Sequence, residues 1–259
     1  MLDYSFSYRD LEIYLLIFTR MSSFIVSCPF FSSRNIPRRF KAGFAMFVSY
    51  LVYGVVPHTP LVYSTVYGYA ALVLKEAMCG LIIGMGANIC ESILQFAGKI
   101  SDMEIGISMV QLFDPSTREA RGFTGTIYQY GVTLIMVISG MHYYFIRAII
   151  ETYTLIPLGK QVFDSQRMTR SIVLFLSDYM SISFRICIPV IVSIMLVNAV
   201  LGILVKTAPQ INMFSVGIQI KIVVGFAVIF FTIGFLPHAA DYIFREMKTM
   251  MTAMIESMT

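Results

Sequence analysis

Tryptophan is absent from this 259-residue sequence, and charged residues are scarce. Asp, Glu, Lys and Arg together make up 13% of the chain, whereas an average soluble domain contains about 25%. Hydrophobic residues reach 57%, and the mean hydropathy is +0.76. This composition excludes an ordinary soluble domain and indicates a single domain of an integral membrane protein or of the core of a large hydrophobic assembly. The net charge of +4 is too small and too scattered to favour nucleic-acid binding.

Signatures of catalysis and of cofactor binding are missing as well. The three histidines, His58, His142 and His238, have no Cys, His or carboxylate at ligand spacing. The chain has no nucleophile elbow, no phosphate-binding Walker loop and no HExxH motif. We therefore expect a non-enzymatic protein without a metal or cofactor. The four cysteines lie inside apolar runs, at Cys28, Cys79, Cys90 and Cys187.

Long apolar runs are what the sequence has in abundance. A membrane-spanning helix needs about 20 mainly apolar residues, whereas a membrane β-barrel shows shorter, alternating segments. The runs therefore predict an all-α fold of about six long hydrophobic helices, arranged as hairpins in one domain over residues 1–259. They lie at about 11–31, 42–56, 61–97, 123–150, 171–205 and 217–236.

The third of these runs poses a length problem. No proline interrupts the chain from Leu61 to Asp102, and a continuous helix there would be about 60 Å long. The hydrocarbon core of a bilayer is only about 30 Å thick. Such a helix either breaks near one of its glycines or projects well beyond the bilayer.

Polar and small residues recur at intervals of three or four inside these runs. On a helix, such residues form one continuous stripe along one face. A charged side chain at the centre of a bilayer costs roughly 2.5–3.5 kcal/mol, and small residues let helices approach closely. The stripes therefore predict faces that pack against protein or line a wet path, in a subunit of a tight oligomer. The longest stripe is Glu76, Gly80, Gly84, Asn88, Glu91, Gln95, Lys99 and Asp102, and shorter ones are Asp178, Ser181 and Arg185, and Gly217, Lys221 and Gly225.

Two polar segments between apolar runs are candidates for function. Residues 98–122 contain glycines and polar residues interleaved with apolar ones such as Ile105, Ile107 and Val110. Irregular backbone at membrane depth must be buried in protein or line water, so this segment is either tucked into a cavity or forms a surface helix and loop. The second segment, 206–221, is either an ordinary turn with snorkelling lysines or a turn that meets partners. Its polar residues are Lys206, Thr207, Gln210, Asn212 and Lys221.

Three blocks of sequence are distinctive. The first block reads Gly-Ile-Ser-Met at 106–109 and Phe-Asp-Pro at 113–115. The second extends from His142 to Ile-Pro-Leu-Gly at 156–159, and the third from Pro189 to Lys221, with Ala-Pro-Gln-Ile-Asn-Met-Phe at 208–214. In wording, order and spacing, these blocks resemble the FliR family of flagellar type III export-gate proteins, and the resemblance covers nearly the whole chain.

The resemblance implies a core subunit of the flagellar type III protein export gate. Such a subunit forms a helical assembly with FliP and FliQ, in contact with FlhB, and unfolded flagellar export substrates pass through its channel. The implied location is the bacterial cytoplasmic (inner) membrane within the flagellar basal body, with the assembled gate raised above the bilayer plane. Residues 1–165 then form a FliP-like part that contains a plug loop at 104–122, and residues 166–259 form a FliQ-like helical hairpin.

The resemblance also assigns roles to particular residues. It places the plug or gate loop at Gly106, Ile107, Met109, Phe113, Asp114 and Pro115. Together with the stripes, it predicts polar contacts with other subunits by Glu76, Glu91, Lys99, Asp102, Arg185, Lys206, Gln210, Asn212 and Lys221.

Three other functions remain open at this point. A homologous subunit of an injectisome export gate would share the third block, although the first block favours the flagellar branch. A small-solute permease would line its path with Glu91, Lys99 and Asp178, but the sequence lacks the two matching halves common in transporters. A passive scaffold for basal-body assembly would have no conducting role.

Overall fold

A computed structural model describes residues 8–32, 36–56, 61, 63, 65–108, 122–207 and 213–259, with side chains after the last gap described from Val216 onward. Every regular element in these ranges is a helix, so the predicted all-α fold is confirmed. The helices are α1 (Tyr8–Ser27), α2 (Pro29–Ser32), α3 (Arg38–Tyr53), α4 (Val66–Ile105), α5 (Phe123–Ile138), α6 (Met141–Leu155), α7 (Ser165–Thr207), α8 (Met213–Thr232) and α9 (Leu236–Glu256), with a 3-10 turn at Ile233–Phe235.

The predicted number of six long helices is not exact. Within the ranges above, three helical stretches are long and apolar enough to cross a membrane: Val66–Ile105, Ser165–Thr207 and Val216–Glu256. A fourth is possible if α5 and α6, which meet at a 71° bend, form one broken span. The first two apolar runs instead form α1, α2 and α3, because Pro29 begins a new helix and α3 is only 16 residues long.

Glycine decides where two of the predicted runs end or bend. Gly140 adopts a left-handed φ of 70° between α5 and α6, a conformation that glycine adopts without steric cost, and the run predicted at 123–150 therefore bends. Gly106 has a φ of 93° and follows the last residue of α4, as glycine commonly does at helix C-termini. The glycines inside α4 do not break it, so this 40-residue helix is about 60 Å long.

One compact unit comprises Met1–Cys90, Gly140–Phe175 and Phe244–Thr259. Its core contains the face of α1 that carries Leu16, Ile17 and Phe24, and α1 packs on α3. The methionines near the C-terminal end of α9 are buried in the same unit. The backbone N–H of Asp164 donates to the carbonyl oxygen of Ser257 at 2.9 Å, which fixes the end of the chain.

The second compact unit comprises Glu91–Ser139 and Leu176–Ile243. Here the second part of α4 packs closely on α5, because a Cβ atom at Gly98 would overlap the backbone of Gly125. The part of α7 in this unit is tied to α4 by Tyr179, whose hydroxyl donates to the carbonyl oxygen of Ser92 at 3.3 Å. The rings of Phe123 and Phe226 meet edge to face at 5.6 Å between centroids.

Candidate functional site

A buried ion pair joins α1 and α4 in the first unit. Nε of Arg20 donates to Oε2 of Glu76 at 2.6 Å, and both side chains are fully buried. The remaining guanidinium nitrogens donate to the Oγ1 of Thr152 at 3.2 Å and to the carbonyl oxygen of Ile156 at 3.1 Å. The ring of Tyr153 lies 4.4 Å from Cζ of Arg20. A buried charge needs a charged partner and further hydrogen bonds, and Arg20 has both.

The other oxygen of the Glu76 carboxylate binds the turn that follows α6. Its Oε1 accepts from the backbone N–H of Gly159 at 2.9 Å and from Nε2 of Gln161 at 2.6 Å. Gly159 has a left-handed φ of 76°, which presents its N–H to the carboxylate in a conformation that few other residues adopt. We call Arg20, Glu76, Thr152, Gly159 and Gln161 the Arg20 cluster. It connects α1, α4, α6 and the 156–161 turn through charge-assisted hydrogen bonds, which are stronger than neutral ones.

Two opposing effects act on the charge of Arg20. Burial lowers the pKa of the guanidinium, whereas the adjacent Glu76 carboxylate raises it, and the net result is a pKa above the ordinary value. Arg20 is therefore a fixed cation at any physiological pH. Arg20 thus contributes a permanent positive charge to the contact between these helices.

The stripe on α4 lies against the protein's own helices, except for Lys99, which is exposed. In the first unit, Cβ atoms at Gly80 and Gly84 would overlap α1, and Nδ2 of Asn88 donates to the carbonyl oxygen of Ser27 at 2.9 Å. In the second unit, the stripe faces α5. Small and polar residues thus mark a packed face, as the spacing predicted.

The polar contacts between α4 and α5 form what we call the α4–α5 seam. Nε2 of Gln129 donates to Oε1 of Glu91 at 2.6 Å, and Nε2 of Gln95 donates to Oε1 of Gln129 at the same distance. Asp102 accepts from the Thr124 hydroxyl at 2.5 Å and from the Thr124 backbone N–H at 3.2 Å. Since Asp102 and Thr124 flank the segment 103–123, this bond holds the two ends of that segment together.

The charged residues among the predicted intersubunit contacts fall into two groups. Three carboxylates of that set, on Glu76, Glu91 and Asp102, bind donors of their own chain, and Glu76 and Asp102 are almost completely buried. The sequence-based prediction had assigned their partners to other subunits. The four cations behave differently: Lys99, Arg185 and Lys206 are exposed and Lys221 is half-buried. Nothing in the described part of the chain forms a salt bridge with them.

Several predicted positions lie outside the described residues. They are Met109, Phe113, Asp114, Pro115, Gln210 and Asn212. Gly106 and Ile107 are described, both half-buried just beyond the end of α4. Among the described residues, no three His, Cys, Asp or Glu side chains come together as metal ligands.

Most partners in these contacts could not be identified from the sequence. Arg20 attracts attention as a cation in an apolar run, but Thr152 and Gln161 lie more than 130 residues farther along the chain. Thr124 and Gln129 carry no charge, so no spacing rule picks them out of the run that becomes α5. The one feature of the sequence that could have pointed to this cluster is Arg20 itself. An arginine inside an apolar run requires an acidic partner when it is buried.

Comparison with known proteins identifies the family. The sequence model of the bacterial export proteins, family 1, matches residues 11–247. The chain belongs to this family. Flagellar biosynthetic protein FliR of Bacillus subtilis (strain 168) is 30% identical over 215 residues, which make up 82% of this chain and 83% of that protein.

Other relatives carry the same name. FliR of Buchnera aphidicola subsp. Baizongia pistaciae is 24% identical over 259 residues, or 98% of this chain and 100% of that protein. FliR of Escherichia coli (strain K12) is 22% identical over 254 residues, or 96% and 94%. The predicted resemblance to the FliR family is thereby confirmed, and membership of the bacterial export proteins agrees with the apolar helices described above.

Proposed function

We propose that this chain is a non-enzymatic core subunit of the flagellar type III protein export gate, located in the bacterial cytoplasmic membrane within the basal body. Its proposed partners are FliP, FliQ and FlhB, and its proposed cargo is unfolded flagellar protein. The observation that carries this proposal is the family match across residues 11–247, a range that includes nearly all of the described helices. In the same proposal, residues 1–165 play a FliP-like role and residues 166–259 form a FliQ-like hairpin.

The distribution of charge supports an assembled protein over an isolated one. Three carboxylates on α4, those of Glu76, Glu91 and Asp102, bind donors of their own chain. In contrast, Lys99, Lys206 and Lys221 lack salt-bridge partners in the described structure. Unpaired cations on apolar helices are costly. We propose that neighbouring subunits supply acidic or polar groups to these lysines, and that Gln210 and Asn212 contribute to the same contacts.

We further propose that residues 104–122 plug the channel, with Gly106, Ile107, Met109, Phe113, Asp114 and Pro115 as its sealing residues. The bond between Asp102 and Thr124 supports this assignment, because it holds both ends of the segment on the buried α4–α5 seam. With both ends held on α4 and α5, the segment 104–122 can close the proposed channel and remain attached to these two helices. The anchor also limits how far the segment moves when substrate passes.

Deletion of Ile107 to Phe113 tests the conducting role. In cells that also produce FliP and FliQ, we expect this deletion to make the cytoplasmic membrane permeable to ions or small dyes, because the conduit loses its seal. The measurement is dye uptake or membrane depolarisation relative to the intact chain. The same deletion produced without FliP and FliQ is the matched control and should cause no leak. Permeability at the level of the intact chain, in cells where the complex still assembles, would show that this segment is no plug.

A further inference from the structure

One face of α7 is exposed although its spacing is that of a packed helix face. It begins in the second compact unit at Asp178 and continues at intervals of three and four residues. The same spacing on α4 marks a face that packs against α1 and α5. On α7, however, every residue of the row is exposed. We call this row the outer α7 face, and its residues are Asp178, Ser181, Arg185, Ile188, Val192 and Met195.

The opposite face of α7 packs against the chain itself. The hydroxyl of Ser183 donates to the carbonyl oxygen of Ile93 in α4 at 3.4 Å. The fully buried residues of this face are Ser183, Cys187, Val190 and Ile194. With 3.6 residues per turn, they lie on the side of the helix opposite Arg185 and Ile188. α7 therefore has one face that its own chain covers and a second face, of the same spacing, that the described residues leave exposed.

The mixed character of the outer α7 face indicates a protein neighbour. Asp178 and Arg185 form no salt bridge with any residue in the described ranges, and charges that face hydrocarbon are costly. The residues that follow on the same face are apolar, and Ile188, Val192 and Met195 are 49%, 51% and 62% exposed. An apolar row of this kind is unfavourable in water. A protein surface with matching charges and apolar groups satisfies both halves of the face, whereas lipid or water alone satisfies one.

A cleft beside Arg185 adds a pocket to this face. It lies within the second compact unit and has a volume of about 490 Å³. Its lining from α5, α7 and α9 is mostly apolar and includes the basic residues Arg185 and His238 but no acidic residue. Phe235, which is 70% exposed, forms part of its wall. Arginine and aromatic residues are enriched in the cores of protein–protein interfaces, where large side chains fill pockets. The cleft therefore has room for a large side chain of a neighbour, and its charge favours a carboxylate nearby.

We propose that the outer α7 face binds a helix of a neighbouring subunit that carries the complementary charges. A carboxylate of that helix pairs with the guanidinium of Arg185, a basic side chain pairs with Asp178, and a large apolar side chain next to the carboxylate enters the cleft. Asp178 and Arg185 are seven positions apart, or about 10 Å along a helix, so the acid and the base of the partner helix are about two turns apart as well. This inference rests on the proposed place of the chain in a gate complex and specifies one contact within it.

Substitutions of Arg185 test this contact in the complex. The tagged chain is produced together with FliP and FliQ, and the amount of both proteins recovered with it is measured. For Arg185→Glu we expect recovery to fall about tenfold or more, because two carboxylates would face each other. For Arg185→Leu we expect a loss of about fivefold, because the partner's carboxylate would remain unpaired on an apolar surface. The matched control is Arg147→Glu, which reverses an arginine that is 81% exposed on α6 and should leave recovery unchanged.

Two further measurements accompany this comparison. Because Arg185 is exposed, each variant chain alone in detergent should unfold at the temperature of the unsubstituted chain, as followed by circular dichroism. In a flagellated host, motile revertants of Arg185→Glu should replace an acidic residue in a helix of a partner protein by lysine or arginine. Such a revertant would identify the carboxylate that faces Arg185.

Unchanged recovery of FliP and FliQ with Arg185→Glu and Arg185→Leu would overturn the inference and leave the gate proposal intact. Recovery that is unchanged or greater for Arg185→Leu alone would assign the outer α7 face to lipid. An unsubstituted chain that recovers neither protein would contradict the gate proposal, and this contact with it.

Exchange of the two charges, Asp178→Arg with Arg185→Asp, separates a different partner from a second copy of this chain. A partner with a fixed charge pattern would meet like charges, so we expect recovery to fall at least as far as with Arg185→Glu. Two antiparallel copies of the chain would keep both ion pairs after the exchange. A dimer of the tagged chain, formed equally by the exchanged and the unsubstituted chain in mass determination, would therefore assign the face to a second copy and overturn the inference.

Discussion

Glu76→Ala is expected to lower the free energy of unfolding by about 3–5 kcal/mol. The substitution leaves the guanidinium of Arg20 fully buried beside neutral groups only, and it removes the acceptor of Gly159 and Gln161. Removing one partner of a buried pair costs more than the pair contributes, because the remaining charge stays out of water. Since the Arg20 cluster joins three helices and a turn, we also expect little protein in the membrane and loss of motility.

Thermal unfolding of the purified protein in detergent, followed by circular dichroism, measures this effect. The matched control is Glu151→Ala, which breaks the pair of Arg147 and Glu151, whose side chains are 81% and 58% exposed. An exposed pair at this helical spacing contributes only about 0.3–0.5 kcal/mol. If both variants unfold at the same temperature, the Arg20 cluster does not stabilise the first unit as described.

The second large effect is expected for Gly98→Ala. A Cβ atom at position 98 would overlap the N and Cα atoms of Gly125, and backbone cannot move aside as a flexible side chain can. Overpacking of this kind costs about 1–3 kcal/mol, and here it separates α4 from α5 next to the bonds of Glu91 and Asp102. We therefore expect a lower unfolding temperature and weaker hydrogen bonds between Asp102 and Thr124.

Gly202→Ala is the matched control for this substitution. Gly202 also lies inside a long helix, but a Cβ atom there would meet no atom within 4 Å. Alanine is favoured over glycine inside a helix by about 1 kcal/mol, so this variant should be as stable as the unsubstituted chain or more so. The same unfolding measurement compares the two, and equal stability of both variants would contradict the close packing of α4 on α5.

Helical spacing predicted that one face of α4 meets protein, but it did not predict which protein. The interval of three or four from Glu76 to Asp102 defines a face that is packed except at the exposed Lys99. Tertiary structure determines which residues pack against that face. In the structure, α1 and α5 pack against it, whereas the sequence-based prediction placed other subunits there. Arg20 and Glu76 are 56 positions apart, so no local rule connects them.

Proline and glycine gave only partial information on where the helices continue, end or bend. The absence of proline after Leu61 allowed either a break near a glycine or one long helix, and α4 is continuous over 40 residues. The bend at Gly140 escaped prediction because Ser139 and Gly140 interrupt an otherwise apolar run by only two residues. A glycine inside a helical run is compatible with either a bend or a close helix contact, and only packing decides between them.

The most direct test of the proposal that this chain is an export-gate subunit is its co-purification with FliP and FliQ from bacterial membranes. The full chain, carrying an affinity tag and produced together with FliP and FliQ, is extracted in mild detergent and analysed by size-exclusion chromatography and mass determination. We expect a single complex in which all three proteins are present at a fixed ratio. A tagged chain that elutes alone, while FliP and FliQ assemble without it, would contradict the account.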